Sequence, residues 1–292
     1  MKNIGNGILS MFVVSVVAIA LLGFGGSAAG WEKIGGPADK VVVSYDQIES
    51  VSDAYATSPA NGSIYKYQGT PMSWVKVGGP GSSFVAAGGI LYGLSPDKNG
   101  IYEYQGAPMN WRQVGGPAAN IFGGADGLYA TSPADGSLYK YQGTPMSWVK
   151  VGGPGKTFAV GGIGKLYGLS PDSQGVYEYQ GTPLQWTQIG GPAVMIYAGG
   201  NNLYATSPND GSIYKYLGTP MSWMQIGGPG RNFAATRDTI YGLSPDGKGV
   251  FEYSGTAMMW SQIGGPARDI FTAGTKLYAT NPDTGDVYHY NP

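Results

Sequence analysis

From residue 30 onward, apolar and polar residues alternate in short runs that stop at glycine, proline, asparagine or aspartate. A period of two with aromatic and β-branched enrichment is the pattern of half-buried β-strands. In the third period "NIFGGA", "GLYATSP", "SLYKYQG" and "WVKVGG" read as four strands in succession. The breaks between them, "SPADG" at Ser132–Gly136 and "GTPMS" at Gly143–Ser147, supply the proline and glycine that hairpin turns require. Helical periodicity is absent after Phe24.

The same four segments return along the chain. Tryptophan stands at 31, 74, 111, 148, 186, 223 and 260, each followed closely by Ile or Val and then Gly-Gly-Pro, and after a first interval of 43 residues the spacing is 37 or 38. Tyr65–Gly81 and Tyr139–Gly155 are identical. Four antiparallel strands per period describe the blade of a β-propeller, in which radial repetition leaves only short, protected edges. The expected fold class is therefore all-β: a seven-bladed β-propeller of four-stranded antiparallel blades over residues 30–292. Small residues in the first segment of each period, as in "FVAAGG", "IFGGAD" and "IYAGG", suit an innermost strand crowded by its counterparts at the axis. The last period stops one strand short at "DVYHYNP", and the body opens on "WEKIGGP", a strand without a blade. The N-terminal strand is thus expected to complete the last blade and close the ring, which removes an open sheet edge.

Composition sharpens this picture. Glycine (51) and proline (20) recur in register with tyrosine and tryptophan, which marks repeats and not low complexity. Residues 1–29 read as a signal peptide: Lys2, an apolar run from Ile8 to Phe24, then Ser27 and Ala29 as a small-x-small cleavage pattern before Gly30. The alternative is a retained anchor, since that run lies at the lower edge of the roughly 17–25 residues that span a bilayer. Either way the body faces outward, so the protein is expected to be secreted or extracellular, with no membrane insertion of the mature chain. There is no cysteine, and so no disulfide, thiolate metal site or cysteine nucleophile. With 17 basic against 18 acidic residues and no basic run, the chain lacks the cationic footprint of a nucleic-acid binder.

The run "LYGLSP…IYEYQGAPMNWRQVGGP", with its tryptophan, IGG-like strand and "Y-x-G-T-P" turn, resembles the repeats of tectonin and tachylectin-type propellers, a secreted lectin group, over residues 31–292. The resemblance implies a secreted, multivalent carbohydrate-binding protein with repeated shallow glycan sites. The candidate ligand-binding residues flank the mouth of the "QGTPMS" hairpin: Tyr67 with Trp74, Tyr104 with Trp111, Tyr141 with Trp148, Tyr179 with Trp186, Tyr216 with Trp223, and Tyr253 with Trp260. An aromatic face covers the C–H side of a sugar while nearby polar groups take its hydroxyls. The competing reading is that one tryptophan per blade packs neighbouring sheets together.

Lys66, Glu103, Lys140, Glu178, Lys215, Glu252 and His289 occupy one position in successive blades, so charge sign alternates around the expected ring, with the only histidine at the odd seam. Enzymatic chemistry finds little support. One histidine builds no multi-histidine metal site. Asp97, Asp135 and Asp283 sit in turns with too few carboxylates for Ca²⁺. Gly155–Thr157 lacks the glycine spacing of a phosphate loop, and Ser95, Ser132 and Ser170 precede prolines with no nearby histidine. No cofactor and no metal are expected. A protein-binding or assembly propeller at the cell surface, without a small-molecule ligand, is the alternative function. The longer first period, around residues 44–52, reads as a tolerated insertion or a local recognition loop.

Overall fold

The computed structural model describes residues 30–45 and 52–292. The signal peptide expected at residues 1–29 and most of the insertion at 44–52 lie outside the described residues. The chain folds as a ring of seven four-stranded antiparallel sheets, a seven-bladed β-propeller. Blade 1 comprises Val41–Tyr45, Ser52–Thr57, Ser63–Tyr67 and Trp74–Pro80, in that order from the axis outward. Blade 3 repeats it with Asn120–Gly124, Gly127–Thr131, Leu138–Tyr141 and Trp148–Gly152. Blade 7 is assembled from both ends of the described chain: Asp269–Ala273, Lys276–Thr280 and Asp286–Asn291 are followed outward by Gly30–Pro37. That last pair is antiparallel, with Trp31 opposite Tyr290 and Glu32 opposite His289.

The first strands of neighbouring blades touch all the way round the axis, including blade 7 against blade 1. They enclose an axial cavity of about 160 Å³ whose lining comes from all seven blades and is mostly glycine, alanine and backbone. Space there is so short that a Cβ on Gly123 would come within 2.3 Å of the Ala86 carbonyl, and one on Gly199 within 2.1 Å of the Thr236 carbonyl. Backbone hydrogen bonds bridge blades at the rim: Gly88 N–H donates to Gly124 O, and Ala125 N–H to Gly161 O, both at 3.0 Å. Between blades, apolar clusters repeat; one joins Tyr129, Leu138 and Val151 of blade 3 to Phe158, Leu166 and Tyr179 of blade 4. The meander places the hairpins between first and second strands, and between third and fourth strands, on one face of the disc. The Ser-Pro turns and the Gly-Gly-Pro connections lie on the other.

The alternating charges of the third strands are satisfied within their own blades. Lys66 meets Asp53 at 2.7 Å, Glu103 meets Arg112 at 2.6 Å, Lys140 meets Asp126 at 3.0 Å, and Glu178 meets Lys165 at 2.8 Å. Glu252 accepts from the Tyr241 hydroxyl at 3.2 Å, and Lys215 lies over the Tyr204 ring. His289 stacks on Tyr278 at 4.8 Å between ring centroids. Burial, with the Lys276 charge added, pushes its imidazole down to about 4. A His whose pKa is lower folded than unfolded supplies stability that is fully present above about 6.5, the unfolded value, and lost as pH falls toward the folded value. The midpoint of urea unfolding therefore drops between pH 6.5 and 4.5 for the native protein, and His289→Gln flattens that slope. A slope unchanged by the substitution would mean that other groups set it.

Candidate functional site

All six predicted tyrosine–tryptophan pairs form. Each pair is a direct cross-strand partnership between third and fourth strands. Ring centroids lie 5.2–5.4 Å apart and the planes are tilted. A seventh pair, Trp31 with Tyr290 at 5.2 Å, joins strands from opposite ends of the chain.

The tryptophans are partly buried and their polar atom is engaged. Each Nε1–H donates to a main-chain carbonyl on the outermost strand of the preceding blade: Trp74 to Ile34, Trp111 to Val77, Trp148 to Val114, Trp186 to Val151, Trp223 to Ile189 and Trp260 to Ile226, at 2.7–2.9 Å. Trp31 does the same to Ile263 at 2.8 Å. The indole then lies against the first glycine of the preceding Gly-Gly-Pro; a Cβ on Gly115 would meet Trp148 Cζ2 at 3.0 Å. This explains why tryptophan and that glycine recur together. The tyrosines are buried or half-buried on the same seam, and burial raises the pKa of all six hydroxyls. The pairs thus act as inter-blade wedges, with their one indole donor already spent.

What the hairpin does present to solvent is its turn. Thr70-Pro71-Met72-Ser73 closes with Ser73 N–H donating to Thr70 O at 2.9 Å, and Met72 has φ of 64°. Proline second and a positive φ third define a type II turn, whose third position favours glycine. Here it holds methionine, and its equivalents are Met109, Met146, Leu184, Met221 and Met258, at φ 61–66°. A side chain in this region costs about 1–2 kcal/mol. Each N–H is held by the neighbouring blade: Met72 donates to Ile34 O and Met146 to Val114 O at 2.9 Å, the same carbonyls that accept the indoles. The side chains themselves stand 48–63% exposed. None of the six turns, from Gln68–Ser73 to Ser254–Met259, contains a charged residue. The result is an uncharged ring of large apolar side chains on the face where the axial cavity opens. Sequence reasoning passed over these residues; the signal was a Pro-Met pair, present in four of the six turns, where turn chemistry asks for Pro-Gly.

On the opposite face, Ser170, Pro171, Asp172, Gln174, Tyr177 and Gln188 line a shallow niche of about 420 Å³. Gly175 also lines it, and the Tyr177 ring lies so close that a Cβ on Gly175 would meet its Cε2 at 2.7 Å. The same close approach recurs at Gly100 with Tyr102 and at Gly249 with Phe251. A hydrogen bond from Ser170 Oγ–H, 2.6 Å away, helps hold the Asp172 carboxyl below its usual range. Among the described residues no group of three or more His, Asp or Glu side chains could hold a metal ion. Nor is any helix among them long and apolar enough to cross a membrane.

No known protein-family profile and no curated protein matches the chain. Solved structures do match in fold. YCF48 from Cyanidioschyzon merolae is 12% identical with a TM-score of 0.62, over 90% of this chain and 99% of that one. YCF48 bound to D1 peptide is 11% identical at 0.60, over 91% and 98%. Yeast RCC1 (Prp20) bound to Kap60 is 8% identical at 0.59, over 86% and 80%. The GH74 enzyme of Niastella koreensis is 12% identical at 0.63, covering 89% of this chain but 43% of the enzyme. At these identities the likeness establishes the propeller fold alone.

Proposed function

We propose that this protein is an exported, non-catalytic propeller that docks a protein partner on the face carrying Met72, Met109, Met146, Leu184, Met221 and Met258. The observation that carries this reading is the turn itself: six equivalent positions hold an exposed apolar side chain in a backbone conformation that favours glycine. Neither packing nor turn formation calls for such residues, and strained, exposed apolar side chains belong to contact surfaces. Methionine adapts to irregular partner surfaces because its unbranched thioether chain repacks easily. The YCF48–D1 peptide and RCC1–Kap60 structures support the reading by showing similar propellers with bound peptide or protein.

Glycan binding is a second reading, supported by the niche at Tyr177. There an aromatic ring, a carboxylate and two amides border a shallow hollow, and the arrangement partly recurs at Tyr102 and Phe251. One experiment separates the two. A photo-crosslinking amino acid at Met109 or Met221 is expected to capture protein in the native setting, while the same probe at Ala134 or Asn209 on the opposite face does not. Met109→Asn with Met221→Asn, which keeps the positive φ but removes the apolar chain, weakens capture by a probe at Met146. Absence of any protein crosslink, together with a glycan retained on an array and lost on Tyr177→Ala, reverses the order of the two readings.

A further inference from the structure

We propose that the turn methionines form an oxidant-sensitive modification site, in which two-electron oxidants such as hydrogen peroxide convert Met72, Met109, Met146, Met221 and Met258 to sulfoxides without loosening the propeller. In each step a sulfur lone pair attacks one peroxide oxygen and the O–O bond breaks. An S–O bond forms, the departing hydroxide takes up the proton as water, and sulfur loses the two electrons that the peroxide gains.

Three observations carry this. The five methionines are 48–63% exposed as residues, and with no cysteine in the chain no thiol competes for the oxidant. The backbone beneath each sulfur is pinned from below: the methionine N–H donates to the preceding blade at 2.9–3.0 Å, and the turn closes through its own hydrogen bond. The side chain above that anchor is mostly in solvent, so adding an oxygen there changes the surface and leaves the seam intact. Oxidation would act very differently on a methionine packed in an inter-blade seam. Met224 is the internal comparison, since it is half-buried against the apolar cluster of Ile226 and Phe233 in the seam between blades 5 and 6.

The consequence is local and graded. Each sulfoxide turns an apolar, flexible tip into a polar one. Five such changes on one face convert most of this ring of large apolar side chains to a polar rim, with blade 4 as the exception. There Leu184 occupies the same turn at φ 66° and is inert to peroxide. The chain therefore shows for itself that leucine fits this position. The chemistry stands without the docking function, whereas its effect on a bound partner rests on that reading.

The test uses the purified protein with dilute hydrogen peroxide, peptide mapping by mass spectrometry, thermal unfolding, and retention on a hydrophobic-interaction column. The five turn methionines are expected to oxidise within a few-fold of the rate of free methionine, Met224 at least tenfold more slowly, and the melting temperature to stay within about 2 °C. Column retention falls in step with sulfoxide content. A variant in which the five positive-φ turn methionines and the also exposed Met195 and Met259 are replaced by leucine keeps its retention after the same treatment. Met224 oxidising as fast as the turn residues, a melting temperature that falls with turn oxidation, or retention lost equally in the leucine variant would overturn the proposal. None of these readouts needs a partner. Unchanged crosslinking after complete turn oxidation would count against the docking reading and leave the modification site standing.

Discussion

Trp148→Ala lowers the stability of the propeller by about 3–5 kcal/mol, the usual cost of emptying a large aromatic site in a packed core. The indole fills the seam between blades 2 and 3, packing against a cluster that includes Leu94, Ile101 and Val114 of blade 2. It also stands 5.2 Å from Tyr141, over Gly115. The substitution removes the hydrogen bond to Val114 O as well, but that carbonyl keeps the Met146 N–H and is not orphaned. Trp148→Phe isolates the two contributions: most of the packing survives, the indole donor is lost, and the expected cost is about 1 kcal/mol plus whatever area the smaller ring leaves unfilled. The midpoint of urea unfolding reads both. Were the tryptophan a ligand contact with little structural role, Trp148→Ala would shift that midpoint by less than about 1 kcal/mol while abolishing binding to a retained glycan, and the wedge assignment would fall.

Gly199→Ala is expected to cost about 3 kcal/mol, at the upper end for an overpacked interior, and to reduce the yield of folded protein. The added Cβ would stand 2.1 Å from the Thr236 carbonyl oxygen and 2.7 Å from its carbon, both main-chain atoms of the next blade. A flexible side chain could swing aside, but a strand held between two neighbours in a closed ring has nowhere to move. Gly191→Ala is the matched control, since a Cβ there meets nothing within 4 Å. Its effect stays within about 0.5 kcal/mol. Equal unfolding midpoints for the two variants would show that the ring can expand at its axis and that crowding does not select these glycines.

The repeat made the architecture legible. Strand alternation, turn residues and the recurring tryptophan say the same thing in period after period, and such agreement across levels is what lets a pattern specify a fold. The candidate site was half legible. The tyrosine–tryptophan pairs could be placed by counting along the hairpin, and they do meet; their use could not be placed that way. A tryptophan beside a turn looks the same in sequence whether its indole N–H faces water or the carbonyl of a strand about 34 residues earlier, as Trp148 faces Val114. The methionines were overlooked for a different reason: the sequence places Met146 in the "GTPMS" turn, where its proline and glycine draw the attention, and the coordinates show its side chain in solvent on a positive φ.

The amino-acid sequence by itself determined the strands, their number per period and the sevenfold repetition, because pleat alternation and turn chemistry are local and are written residue by residue. Tertiary structure decided which way each residue of the repeat faces: indoles inward onto the preceding blade, methionine tips outward, charges onto partners in their own sheet. Those choices follow from how closely one blade is set against the next. That spacing is a property of the closed ring, held by contacts between residues far apart in the chain, and no single period contains it.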